Sequence, residues 1–278
     1  MLVSSAVTLG FFTLGLLIYV ISPSGSFTTV TNPLFWILTT VLLLGVIAAN
    51  VRNIALPTLV TILVPEKMRD KANGMSGTVM GLSFAICAVF SGVALAYTGL
   101  IGVLYISILL TGLTILHLFF VRIPEKHIAH SKENPKKLDI RGTLKVVMGI
   151  PGLMALVFFA TINNFLGGAF MALMDAYGLN LVSVEVWGFM WGILSMGFIV
   201  GGLIVAKKGL GKNPLRTLFL ANIAMWIMAM FFVIQPSIIL MGIGMFSWMT
   251  LMPFAEAAEQ TVIQKVVPAE RQGRVFGF

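Results

Sequence analysis

Apolar runs of about 20 residues, separated by short polar loops, recur along the whole chain. A helix of that length crosses the hydrocarbon of a bilayer. Eight such runs are read here, at 2–22, 33–63, 73–96, 101–121, 149–174, 187–206, 216–234 and 237–263. A ninth is expected to begin at Val275. Lipid offers no partner to a backbone N–H or C=O, so long apolar runs must satisfy their own backbone as helices. The pattern therefore predicts an all-α integral membrane bundle with about eight complete transmembrane helices.

The polar positions support the same map. Seventeen of the 18 Lys and Arg fall on every second loop. Lys67, Arg69 and Lys71 follow the second span, and Arg122, Lys126, Lys132, Lys136, Lys137, Arg141 and Lys145 fill a linker at 122–146. Lys207, Lys208, Lys212 and Arg216 follow the sixth span, and Lys265, Arg271 and Arg274 the eighth. One missed or invented helix would scramble this alternation. Loops rich in Lys and Arg stay on the cytoplasmic side, which sets the expected orientation in the plasma membrane.

Composition excludes a soluble domain. Of 278 residues, 58% are hydrophobic and only 10% charged, against roughly 45–50% and 25% in soluble chains; mean hydropathy is +1.01. The net charge of +8 is accounted for by the loops. Nucleic acid is not an expected partner, because no aromatic-lined basic groove accompanies that charge. Cys87 is the single cysteine and makes no internal disulfide. The opening Met1-Leu2-Val3-Ser4 has no basic run or cleavage signature, so no signal peptide is expected. There is no phosphate-binding Gly-rich loop, no His-Glu-x-x-His and no Gly-x-Ser-x-Gly. No catalytic residue, metal or cofactor is expected, and energy for any transport must come from a gradient.

An internal repeat appears at an offset of 203. Val64-Pro65-Glu66-Lys67-Met68-Arg69 through Gly74 lines up with Val267-Pro268-Ala269-Glu270-Arg271-Gln272 through Gly277, with Thr58 and Thr261 matching upstream. Each copy ends one span, crosses a charged turn and starts another. This predicts two parallel halves of the kind related by an axis along the membrane normal, here 1–121 and 147–278, joined by the linker 122–146.

These two segments resemble the major facilitator superfamily, and within it the drug-efflux branch. Val267 to Arg274 resembles that branch's segment after helix ten, and Val64 to Gly74 the matching segment after helix four. On that resemblance the chain corresponds to family helices three to ten with the start of eleven. Helices one, two and twelve would then lie outside it. The stretch Gly202 to Lys212 resembles the second echo of the family's Gly- and Arg-rich loop motif, with Ala206 where that motif has an acid, and Val89 to Val93 lacks the proline of the antiporter pattern. The resemblance implies alternating access and proton-coupled export of small amphipathic compounds. A non-transporting remnant or scaffold, and proton-coupled nutrient uptake, are the alternatives. Lipid, a small-molecule substrate and a coupling ion, proton or other, are the implied partners.

A charge at the bilayer centre costs about 2.5–3.5 kcal/mol or more, so intramembrane polar residues are candidate functional groups. Asn50, Arg52 and Asn53 lie on the second span, and Glu256, Glu259, Gln260 and Gln264 on the eighth. Glu256, Gln260 and Gln264 are spaced by four and share a helical face. The resemblance places both helices beside a central cavity, where Arg52 would face Glu256 or Glu259 and a carboxylate would take up a proton. The alternative is that both helices have already reached the interface. Asn163 and Asn164 lie near the middle of the fifth span, serving either helix–helix hydrogen bonding or substrate contact, and Asp175 is read as a solvated helix end. Glu66, Arg69, Lys207, Gly209, Glu270, Gly273 and Arg274 are candidate conformational-loop residues. His117 is read as a packed side chain, Pro57 and Pro253 as kinks, and the methionines of the last two spans as adaptable packing.

Overall fold

The computed structural model describes residues 1–23, 25–121 and 140–276; the side chains of Arg52, Glu185, Glu270 and Arg274, among others, lie outside that description. The regular elements are helices: α1 (Leu2–Ile21), α2 (Pro33–Leu63), α3 (Arg69–Phe120), α4 (Ile140–Gly149), α5 (Leu153–Leu181), α6 (Val184–Leu194), α7 (Met196–Lys208), α8 (Pro214–Ile234), α9 (Ile238–Val266) and α10 (Ala269–Phe276), with a short 3₁₀ turn at Glu66–Met68. Among the described residues, seven stretches are long and apolar enough to cross a membrane. They match seven of the eight expected spans. The remaining one, 73–96, is the helical first part of α3, ahead of a break at Gly99. Gly99 has φ 63°, a left-handed conformation that glycine adopts without a Cβ penalty. One residue thus separates two spans.

Several expected boundaries move. The final helix starts at Ala269 rather than Val275. The end of the linker is helical from Ile140, while 122–139 lies outside the described residues. The fifth span continues to Leu181, seven residues past its expected end. The sixth span is interrupted at fully buried Ser195, whose Oγ donates to the Gly192 carbonyl at 2.8 Å. Helix starts follow local chemistry. Ser183, Asn213 and Ser237 accept hydrogen bonds from Val186, Arg216 and Leu240 N–H, satisfying donors that a helix start leaves free. Large apolar side chains such as Phe120 (77% exposed) and Phe165 (75%) face outward, as they do where lipid replaces water.

The chain forms two compact units. The first comprises Met1–Leu56 and the described part of Phe90–Ile128. In it α1 packs on α2: Gly15 sits against Leu38 and Leu42, Gly45 against Phe11 and Phe12, and the Ser4 hydroxyl donates to the Ala48 carbonyl.

The second unit joins Pro57–Val89 to the rest of the chain from α4 onward. Its core runs along α9, which packs mainly on α8 and α7, with Met241, Met245 and Met249 almost fully buried. Helix α7 is held on two faces by backbone approach. A Cβ at Gly197 would lie 2.8 Å from the Phe246 carbonyl of α9, and one at Gly201 would overlap the Thr250 carbonyl. On the other face a Cβ at Gly202 would lie 2.5 Å from Thr78 N, and one at Gly74 2.7 Å from Ala206 N. Small residues let membrane helices approach to backbone contact.

Candidate functional site

Helices of the second unit enclose a cavity of about 440 Å³. Its wall is mostly aromatic, sulfur and glycine: Phe84 from α3, Gly167 and Gly168 from α5, Trp191 from α6, Trp226 from α8 and Trp248 from α9. The polar groups are few. Asn163, Asn164, Asn222, Glu256 and Glu259 line it. Glu256 and Glu259 are three apart on α9, so they emerge on neighbouring positions of one face. Trp226 Nε1 donates to Asn163 Oδ1 at 2.8 Å, which fixes that amide and leaves Asn164 on the cavity wall without such a clamp. Asn222, 4% exposed, donates to the Leu218 carbonyl at 2.9 Å, while its buried Oδ1 has no partner among the described residues. A buried acceptor without a donor is costly. Phe170 tilts against Trp248 at 5.9 Å and makes an edge contact to Trp226 at 6.3 Å, bracing two of these rings.

Of the sequence candidates, Asn163, Asn164, Glu256 and Glu259 line this cavity together. Gln260 is half-buried and is not among the cavity-lining residues. Gln264, on the same face by spacing, serves a different cluster. Asn50 and Asn53 are exposed and bond locally, Asn50 to the Val46 carbonyl and Asn53 to Asn50 Oδ1. The Arg52 side chain, and so its expected approach to the glutamates, lies outside the described residues.

The second cluster lies where the two repeat segments meet. Val64 N donates to Val60 O and Met68 N to Pro65 O, each at 2.9 Å; Val267 N donates to Ile263 O and Arg271 N to Pro268 O, also each at 2.9 Å. Every partner is 203 positions from its equivalent, so the repeat is one of backbone geometry as well as sequence. The side chains repeat too. Arg69 donates to Val64 O and Thr61 O, and its equivalent Gln272 donates to Val267 O and Gln264 O. Between them sits a buried amide network. Asn73 Nδ2 donates to Thr261 Oγ1 at 3.0 Å and Gln264 Oε1 at 2.9 Å, and Gln264 Nε2 donates to the Pro57 carbonyl at 2.8 Å. The same carbonyl also accepts the Thr61 hydroxyl at 3.3 Å.

Of the loop candidates, Arg69 is central to this cluster. Glu66 and Lys207 are exposed. Gly209 has φ 73° and a Cβ there would lie 2.5 Å from Asp70 Oδ2; the same oxygen accepts the Leu210 N–H at 3.1 Å. Both the backbone conformation and the close carboxylate require glycine. A Cβ at Gly273 would come 4.0 Å from Thr58 Oγ1, an ordinary contact. Glu270 and Arg274 side chains lie outside the described residues. Sequence reading missed Asp70, Asn73, Thr261, Asn222 and Gln272 as interacting groups. A polar residue inside an apolar run was the available signal for Asn222.

Asp175, expected at the end of its span, is exposed, but the helix runs on past it. It lies six residues inside the end of α5, and its Oδ1 accepts Trp187 Nε1 at 3.1 Å and Trp191 Nε1 at 3.2 Å.

Helices exposing apolar faces around a cavity with a small polar set define a multi-pass membrane protein built to hold a small molecule. The chain belongs to the Major Facilitator Superfamily, whose family model matches residues 2–278, and it is therefore a membrane transporter. Among curated proteins it is similar to macrolide efflux protein A of Enterococcus faecalis, 22% identical over 258 residues, covering 87% of this chain and 77% of that protein. No solved structure matches it.

Proposed function

We propose that this chain exports small amphipathic compounds across the plasma membrane by alternating access, driven by proton entry, with its basic loops in the cytoplasm. The observation that carries the reading is the 440 Å³ cavity, in which Trp, Phe and Met surfaces surround two carboxylates and three asparagines. Such a wall suits ligands with a large apolar body and few polar groups, and flexible Met side chains such as Met171 and Met252 adapt to more than one shape. Glu256 and Glu259 are the proposed proton acceptors, and Asn164 and Asn222 the substrate contacts. Similarity to a macrolide efflux protein supports export over uptake. The repeat geometry supports two halves, 1–121 and 147–278, that rock about their link at 122–146.

The test is accumulation of a fluorescent amphiphile and of a macrolide in cells carrying the complete gene, with and without a protonophore. Reduced accumulation that the protonophore abolishes is expected. Increased accumulation would make the protein an importer, and no change with any compound would count against export.

A further inference from the structure

An open depression of about 480 Å³, lined by Phe84, Met171, Asp175, Leu179, Trp187 and Trp191, shares Phe84, Met171 and Trp191 with the main cavity in the same unit. Asp175 is the one charged group among these linings. Both indole N–H groups of Trp187 and Trp191 converge on its Oδ1, and among the described residues no donor is bonded to Oδ2. The two indoles meet edge to face at 6.0 Å, and the Phe84 ring lies 5.9 Å from Trp191. Trp187 is buried and seated against Gly178, where any Cβ would overlap the indole ring. Asp175 is exposed, so the acid is held at Oδ1 by two indole donors at the edge of an open, aromatic-lined depression.

An aromatic wall with one exposed carboxylate oxygen recognises an organic cation. The ring faces attract the positive charge, the carboxylate oxygen takes an ammonium proton or pairs with a quaternary centre, and Met171 and Leu179 accept the apolar body. We propose that the Asp175–Trp191 depression is a separate site for amphipathic organic cations, sharing Phe84, Met171 and Trp191 with the main cavity. The inference rests on the proposed transport of amphipathic compounds, and it adds a second site and a charge preference to that reading.

Binding of tetraphenylphosphonium to the purified full chain in lipid nanodiscs, without any gradient, tests it directly. Tetraphenylmethane-like neutral probes of matched size serve as the control. Asp175→Asn is expected to weaken tetraphenylphosphonium binding about tenfold and to leave the neutral probe unchanged, with Asp175→Glu restoring most of the affinity. Leu179→Arg, one helical turn along, places a cation beside the acid and is expected to have the same effect without touching the indole hydrogen bonds; it keeps the test alive should Asp175→Asn not fold. Unchanged binding in both Asp175→Asn and Leu179→Arg overturns the proposal, as does equal loss of the charged and neutral probes, which would make Asp175 an anchor for interfacial tryptophans only. Failure of transport in cells with cation binding intact would count against the export reading and not against the site.

Discussion

Arg69 and Gln272 donate to the same carbonyl, that of Gln264, at 3.5 and 3.2 Å. They are equivalents in the internal repeat, each already bonded to the carbonyls that end its own preceding helix. Two copies of one local design thus converge on a shared acceptor. Substituting Arg69→Gln, the residue its equivalent carries, should keep part of this arrangement. Arg69→Ala removes all three bonds and leaves carbonyls without a donor, a loss of about 1–3 kcal/mol. Thermal unfolding of the detergent-solubilised protein should rank wild type, Arg69→Gln and Arg69→Ala in that order; equal stability for the two variants would contradict the shared-acceptor account.

The Asn73–Gln264–Thr261 network predicts a second ranking. Asn73→Leu is expected to destabilise by about 1–3 kcal/mol, since it leaves the Gln264 amide oxygen buried without its donor. Thr261→Val, which removes only one acceptor while the Asn73 amide still reaches Gln264, is expected to cost less. Melting temperatures of the two variants in one detergent decide this.

Glycine positions give a paired comparison. Gly201→Ala would force a Cβ into the Thr250 carbonyl, whereas a Cβ at Gly167, on the cavity wall, meets nothing within 4 Å. Gly201→Ala should cost at least about 1–3 kcal/mol through overpacking and depress the yield of folded protein. Gly167→Ala should fold normally and, by trimming the cavity, shift which compounds are transported. A size-exclusion profile separates the two.

Glu256→Gln and Glu259→Gln test the coupling proposal. Each variant should retain binding of a neutral amphiphile, because the apolar wall is untouched, and lose most of the accumulation difference that a protonophore abolishes in the wild type. Retained gradient-driven export in both variants would move the coupling group elsewhere.

Much of the fold was legible because its causes are local. Apolar runs, charged alternate loops and the offset of 203 depend on neighbouring residues or on simple self-comparison. Glu256 and Asn163 were legible for the same reason: a polar side chain far inside an apolar run is costly wherever the helix goes. Lateral contacts were not legible. Asn73 and Asp70 read as ordinary members of a charged turn, and only the packing of α3 beside α9 and α7 gives them partners. Asp175 was misplaced because nothing in the run after Met174 marks a helix end, so the extra two turns to Leu181 and the indoles of α6 were invisible. Gln260 followed Glu256 by spacing, yet the cavity wall runs through Glu259 instead.

The glycine seam on both faces of α7 has a mechanical consequence. Side chains between helices act as a compliant layer, since a rotamer change can absorb a small shift. Where backbone meets backbone that slack is absent. A push on the Lys207 end of α7 is therefore delivered at Phe198, on the cavity wall, with little loss along the way. In this part of the molecule glycine supplies stiffness, although in an isolated chain it is the most pliant of residues.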